Sequence, residues 1–112
     1  MSYRIIPADN FSRELKRLTK KYPSLKEEIK EISNILLNKP KTGTPIGHGC
    51  YKVRLSTPDK PGGKSKGFRL ITYIVSKKEI IFLLSIYDKS EVSTLKDWEI
   101  KLIIKELDNI IV

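Results

Sequence analysis

A chain of 112 residues, 39% of them hydrophobic, has the size of one domain with a modest core. Twenty-two Lys and Arg against thirteen Asp and Glu give a net charge of +9, the electrostatic footprint of a protein that meets nucleic acid or another polyanion. One cysteine and one histidine leave no intramolecular disulfide and no Cys/His zinc site.

No apolar run approaches the roughly 20 residues that cross a bilayer. The opening "MSYRIIPADN" lacks a signal peptide's apolar region and cleavage site, so a cytoplasmic protein with no membrane partner is expected. The run "YRII" at residues 3–6 is β-prone and stopped by Pro7. In "ADNFSRELKRLTKKYP" the residues Phe11, Leu15, Leu18 and Tyr22 recur at helical spacing, with Asp9 or Asn10 to cap the start and Pro23 to end it. A second helix follows directly. Ser24 and Glu27 fit a capping box, and Leu25, Ile29, Ile32 and Leu36 make its apolar stripe, so the pair reads as a helical hairpin.

After "GTPIGHG" the period changes. In "CYKVRLS" Tyr51, Val53 and Leu55 alternate with Lys52, Arg54 and Ser56, the pattern of a strand with one buried and one cationic face. Residues 57–66, "TPDKPGGKSK", read as a long hairpin loop. The strands "GFRLITYIV" and "EIIFLLSIY" follow across the turn "SKK", and the second is apolar throughout, which places it centrally. A last helix is expected in "LKDWEIKLIIKELDNIIV", capped by Ser93 or Thr94, with Leu95, Trp98, Leu102 and Leu107 along one side and Ile103, Ile104, Ile110, Ile111 and Val112 widening the apolar surface. The expectation is an α+β domain over 1–112: strand, helical hairpin, three-stranded antiparallel meander, helix.

The common catalytic patterns are absent. "GGKSKG" lacks the spacings of phosphate-binding glycine loops and precedes a strand rather than a helix. His48 and Cys50 stand two residues apart without an identifiable orienting acid, and read as turn surface and a small buried residue. The cations are better placed. Lys52 and Arg54 share a strand face, Arg69 begins the next strand beside the loop of Lys60, Lys64 and Lys66, and Tyr87 and Lys89 close the third. Pairing of neighbouring strands in a meander brings these groups to one edge.

At this point "YKVRLSTPDKPGGKSKGFRLITY", followed by "IIFLLSIYDKSE" and a terminal helix, resembles the RelE/ParE superfamily of type II toxin–antitoxin toxins. It is nearest to RelE-like and HigB-like members with a "K-x-R…GK-x-x-G-x-R…Y-x-K" pattern. The likeness runs from "FSRELKRL" to "LKDWEIKLIIKEL". It implies a ribosome-dependent, metal-independent endoribonuclease that cuts translated mRNA and so inhibits translation, with no cofactor. It also implies partners: a cognate antitoxin, the ribosome and mRNA, and operator DNA through the antitoxin. Carried over, Arg54, Lys64, Arg69, Tyr87 and Lys89 are the catalytic set, and Lys52, Lys60 and Lys66 bind RNA. Where such toxins have "GK-x-G-G", this chain has Lys66 before Gly67.

Cleavage of RNA by its own 2′-hydroxyl needs that hydroxyl deprotonated, the phosphorane charge stabilised and the leaving 5′-oxygen protonated. Arg54 and Arg69 suit the second task, being always charged and able to donate bidentate bonds to phosphate. Lys64, Lys89 and Tyr87 are the candidates for proton transfer, with Tyr87 alternatively stacking on a base. Two other readings stand beside this one. A ParE-like inhibitor of DNA gyrase would not need the basic edge, and a non-catalytic RNA-binding module would stack bases on Tyr51, Phe68 and Tyr73.

Overall fold

The computed structural model describes residues 2–111, and the side chains of all of these except residues 64, 65 and 108–111. Five strands and three helices follow one another as β1 (Arg4–Pro7), α1 (Asp9–Lys21), α2 (Leu25–Asn38), β2 (Thr44–Gly47), β3 (Cys50–Leu55), β4 (Phe68–Val75), β5 (Ile80–Asp88) and α3 (Asp97–Ile111). They form an α+β fold around one mixed sheet of order β1-β5-β4-β3-β2. The meander β3-β4-β5 is antiparallel, and β1 joins β5 in parallel. Every residue of β5 is buried, because α1 and α2 pack on one of its faces and α3 on the other.

Alternation along the strands sorts the side chains into two cores. Val53, Leu55, Phe68, Leu70, Ile81, Leu83 and Ile86 pack with Phe11, Leu18, Leu25, Ile29, Ile32 and Leu36 of the α1–α2 hairpin. Cys50, Ile71, Ile80, Phe82, Leu84 and Tyr87 pack on the other face with Ile100 and Leu107 of α3.

The two cores exchange phase within β5. Thr72 faces Leu83 while Ile71 faces Ser85, so Leu84 has no partner opposite it and β5 bulges there. Strict alternation from Phe82 would carry Tyr87 to the α1–α2 side; the extra residue turns it to the α3 side instead. Side chains of α1 satisfy the disrupted ladder. Glu14 Oε1 accepts from Ser85 Oγ at 2.8 Å, Ile86 N at 3.2 Å and Asn10 Nδ2 at 2.9 Å, and the Asn10 amide also donates to Leu84 O at 3.0 Å.

Four local features differ from the sequence reading. The segment before β3 is a strand, β2, carrying Pro45 and a single apolar Ile46, a composition that an edge position tolerates but that gives no alternating signal. The residue before α1 is Ala8, which has no polar side chain to cap with; Asp9 and Asn10 lie in the first turn, and Asn10 donates to Leu84 O at the bulge. Ser24 likewise makes no capping bond; its N–H donates to Asp59 Oδ2 at 2.7 Å, which ties the 57–66 loop to the helical corner.

The last helix starts at Asp97, later than Ser93 or Thr94 would have it, with the Lys96 N–H held by Glu99 Oε1 at 3.1 Å. Its buried positions are Ile100 and Leu107, whereas Trp98 and Leu102 are 61% and 53% exposed. A helix apolar on most sides leaves the choice of face to packing. Of the apolar residues expected to widen this surface, Ile103 and Ile104 pack against the second core, while Ile110, Ile111 and Val112 lie outside the described side chains.

Candidate functional site

Arg54 of β3, Arg69 of β4 and Tyr87 of β5 stand in one row across the sheet. Arg54 is in register with Arg69, and Arg69 with Tyr87. The row lies on the α3 face, running from Tyr87 in the core that α3 closes to the exposed Arg54. Arg69 is buried at 3% exposure, and its Nη1 donates to Phe68 O at 3.1 Å. Burial pushes its pKa down, the neighbouring Arg54 adds to this, and Tyr87 opposes it. A guanidinium starts high enough to stay charged through such effects.

The row opens into a cleft of about 190 Å³ lined by Thr44, Ile46, Lys52, Arg54, Arg69, Lys89 and Ser93. Four of these seven residues are cationic, and none is acidic. The cleft therefore collects positive charge against a rigid sheet floor, an arrangement that attracts and orients an anion. Tyr87 ends the row beneath the surface, 3% exposed, and its hydroxyl has no hydrogen-bond partner among the described residues. A buried hydroxyl without a partner is costly, and Tyr87 stands next to Arg69 in the row without lining the cleft itself.

Lys89 is held in place by the backbone. Its N–H donates to Gly67 O at 3.0 Å, and a Cβ on Gly67 would stand 2.0 Å from Leu55 O. Only glycine lets the chain pass so close to β3 there.

Lys66 ends a short 3-10 turn, Gly63–Lys66, and is exposed. Its stem lies over Gly62, where a Cβ would meet it at 2.8 Å. The side chain of Lys64 lies outside the described residues.

Lys60, unlike Lys66, is largely withdrawn from solvent. Its ammonium is paired with Asp88, donates to Ser90 Oγ at 3.1 Å, and lies 5.3 Å from the Phe68 ring centre and 5.8 Å from that of Tyr22. Asp88 also accepts from Ser90 N at 2.9 Å and Oγ at 2.6 Å. Burial works against the Asp88 charge, but the bonds from Lys60 and Ser90 outweigh it and hold the carboxyl below its ordinary value.

His48 and Cys50 stand apart from the cleft. His48 sits at φ 57° in the turn between β2 and β3, with Nε2 3.2 Å from Asp97 Oδ1, so it braces the start of α3. Burial pushes the Cys50 thiol up to about 11, and Asp97 adds to this; the group is not a ready nucleophile. Among the described residues no three His, Cys, Asp or Glu side chains gather to hold a metal ion, and no helix is long and apolar enough to cross a membrane.

Comparison with solved structures settles the fold. The E. coli toxin RelE, a double arginine-to-alanine mutant in the free state, superposes with a TM-score of 0.59 over all of both chains at 20% identity. The same mutant in complex with the antitoxin peptide RelBc gives a TM-score of 0.57 at 24% identity, over 87% of this chain and 98% of that one. The chain has the RelE fold. No protein-family model and no curated protein matches its sequence. Thr44, Ile46 and Ser93 of the cleft carry no signal in the sequence: Thr44 and Ile46 lie on the unexpected β2, and Ser93 lies in the loop between β5 and α3.

Proposed function

We propose that this protein is the toxin of a type II toxin–antitoxin system, a ribosome-dependent endoribonuclease that cleaves translated mRNA in the bacterial cytoplasm. The observation that carries the reading is the buried Arg69 facing Arg54 across the strands at the floor of a cationic cleft. Two guanidiniums on a rigid sheet are suited to the equatorial oxygens of a phosphorane, where charge develops as the 2′-hydroxyl attacks.

The 2′-oxygen forms the new bond to phosphorus, the bond to the 5′-oxygen breaks, and the products are a 2′,3′-cyclic phosphate and a 5′-hydroxyl end. The proton leaving the 2′-hydroxyl and the proton reaching the 5′-oxygen are handled among Lys64, Tyr87 and Lys89. Lys52 and Lys66 hold the flanking backbone. Lys60, bound to Asp88, shapes the loop instead of binding RNA. An in-line geometry that free RNA seldom adopts is supplied by the ribosome, which gives positioning its share of the rate.

RelE in the second neighbour is bound to an antitoxin peptide, and the reading gives this chain a cognate antitoxin as well, with operator DNA reached through that partner. The test is primer-extension mapping of mRNA ends after brief induction in bacteria, with Arg69→Ala at matched protein level. New ends inside translated frames that vanish in the variant support the nuclease. Growth arrest with intact messages and damaged DNA points to a gyrase inhibitor instead.

A further inference from the structure

Three successive residues of the turn between β2 and β3 have positive φ: Gly47 at 91°, His48 at 57° and Gly49 at 77°. Glycine takes such angles freely, whereas a histidine seldom does. The turn is tied to the sheet by the Ile74 N–H, which donates to Gly49 O at 3.0 Å, and by the Cys50 thiol, which donates to His48 O at 3.8 Å. His48 is therefore the fixed half of its 3.2 Å contact with Asp97, the first residue of α3.

The other half is held less firmly. Of residues 97–107, Ile100 and Leu107 are buried. Among the described side chains, His48–Asp97 is the one hydrogen bond or ion pair from this part of α3 to another element. A cavity of about 310 Å³, lined by His48, Tyr73, Lys101 and Ile104, stays open beside the contact. Under the helix, Tyr87 lies in the core that α3 closes, 3% exposed and with no partner for its hydroxyl among the described residues. A proton passes only between groups within hydrogen-bond reach, so Tyr87 can serve an RNA substrate only after its cover moves.

The charges around His48 make its hold dependent on protonation. Lys101 of α3 and Tyr73 of β4 face the imidazole, and the Cys50 thiol at the base of the turn, pushed up to about 11 by burial and by Asp97, stays protonated. Asp97 also binds Lys101 at 3.4 Å within α3. Desolvation works against the Asp97 charge, but Lys101 and His48 outweigh it and hold the carboxyl below its ordinary value. A proton on the imidazole then adds a cation to a carboxylate already ionised, and its loss weakens the contact.

We propose that α3 is a lid over Tyr87 and that the His48–Asp97 contact is its latch, tighter with the imidazole protonated and slacker without. The lid rests on the nuclease reading above, which gives Tyr87 a part in proton transfer; the latch does not.

The test of the latch is hydrogen exchange along α3 in wild type and His48→Asn, at about pH 5.5 and about pH 8, on either side of the range in which an imidazole titrates. Asparagine accepts a left-handed backbone, so the variant removes the imidazole and keeps the turn. Its α3 amides are expected to exchange about threefold faster than those of the wild type at the lower pH, the effect of one exposed pair, and at the wild-type rate at the higher. Equal exchange at both pH values overturns the latch. Single-turnover cleavage of a short mRNA on programmed ribosomes by the same two proteins tests the lid: His48→Asn should cut about threefold faster at the lower pH and equally at the higher. Faster exchange without faster cleavage overturns the lid. A wild type that shows the expected exchange and cuts no message overturns the nuclease reading and the lid with it, and leaves the latch standing.

Discussion

Arg54 and Arg69 are direct cross-strand partners, one exposed and one buried. Like charges placed opposite each other in a sheet destabilise it, so the fold holds an unfavourable pair in the wall of its cationic cleft. Arg54→Gln is expected to raise stability by about 0.2–1 kcal/mol while lowering cleavage. Urea denaturation and an mRNA-cleavage assay on the same preparation check both halves.

Gly67 decides whether the loop can pass β3. With its Cβ position 2.0 Å from the Leu55 carbonyl oxygen, Gly67→Ala must push two strands apart. A loss of about 2 kcal/mol or more is expected, together with displacement of Lys89, whose N–H bonds to Gly67 O. Chemical denaturation measures the first effect, and hydrogen exchange at the Lys89 amide measures the second.

The Lys60–Asp88 clasp ties the loop to the end of β5. Lys60→Met leaves Asp88 buried without its cation and should cost about 3 kcal/mol. The Asp88 carboxyl sits below its ordinary 3.8 in the folded protein, so its contribution is complete above that value and is lost as pH falls through the folded one. Acid unfolding of Lys60→Met is therefore expected to begin at higher pH than that of the wild type, followed by circular dichroism.

Glu14 has the opposite sign. Burial raises its pKa above the ordinary 4.5, outweighing the hydrogen bonds from Ser85 and Ile86 and the nearby Arg17 and Arg13. The folded state then binds more protons between the two values, and stability falls as pH rises through that window. Glu14→Gln, which keeps an acceptor for the bulge, should be more stable than wild type at neutral pH and equal to it in acid. A larger gap in acid would contradict this.

Much of this architecture could be read from residue order alone. The apolar stripes of α1 and α2, the alternation of β3 and the unbroken apolar run of β5 each carry a period or a length that only one element satisfies. The phase change in β5 could not be read, because in "IIFLLSIY" Ser85 alone is polar, and one polar residue does not show where alternation slips. That slip puts Tyr87 in the arginine row. Lys60 looked like its loop neighbours, and only the folded chain brings it to Asp88, 28 positions away. The stripe expected for α3 was wrong in part for a related reason: Trp98 and Leu102, placed on one side with Leu95 and Leu107, are exposed, because Ile100, Ile103 and Ile104 are apolar too and packing in the second core took these instead.

The central claim is that the arginine row performs the cleavage. Single-turnover cleavage of a short mRNA on programmed ribosomes tests it most directly, with Arg69→Gln and the exposed-site variant Arg54→Gln set against wild type at saturating protein. The account predicts a fall of about 10²-fold or more in the rate constant for each, with folding verified by circular dichroism. Wild-type rates in both folded variants would contradict it.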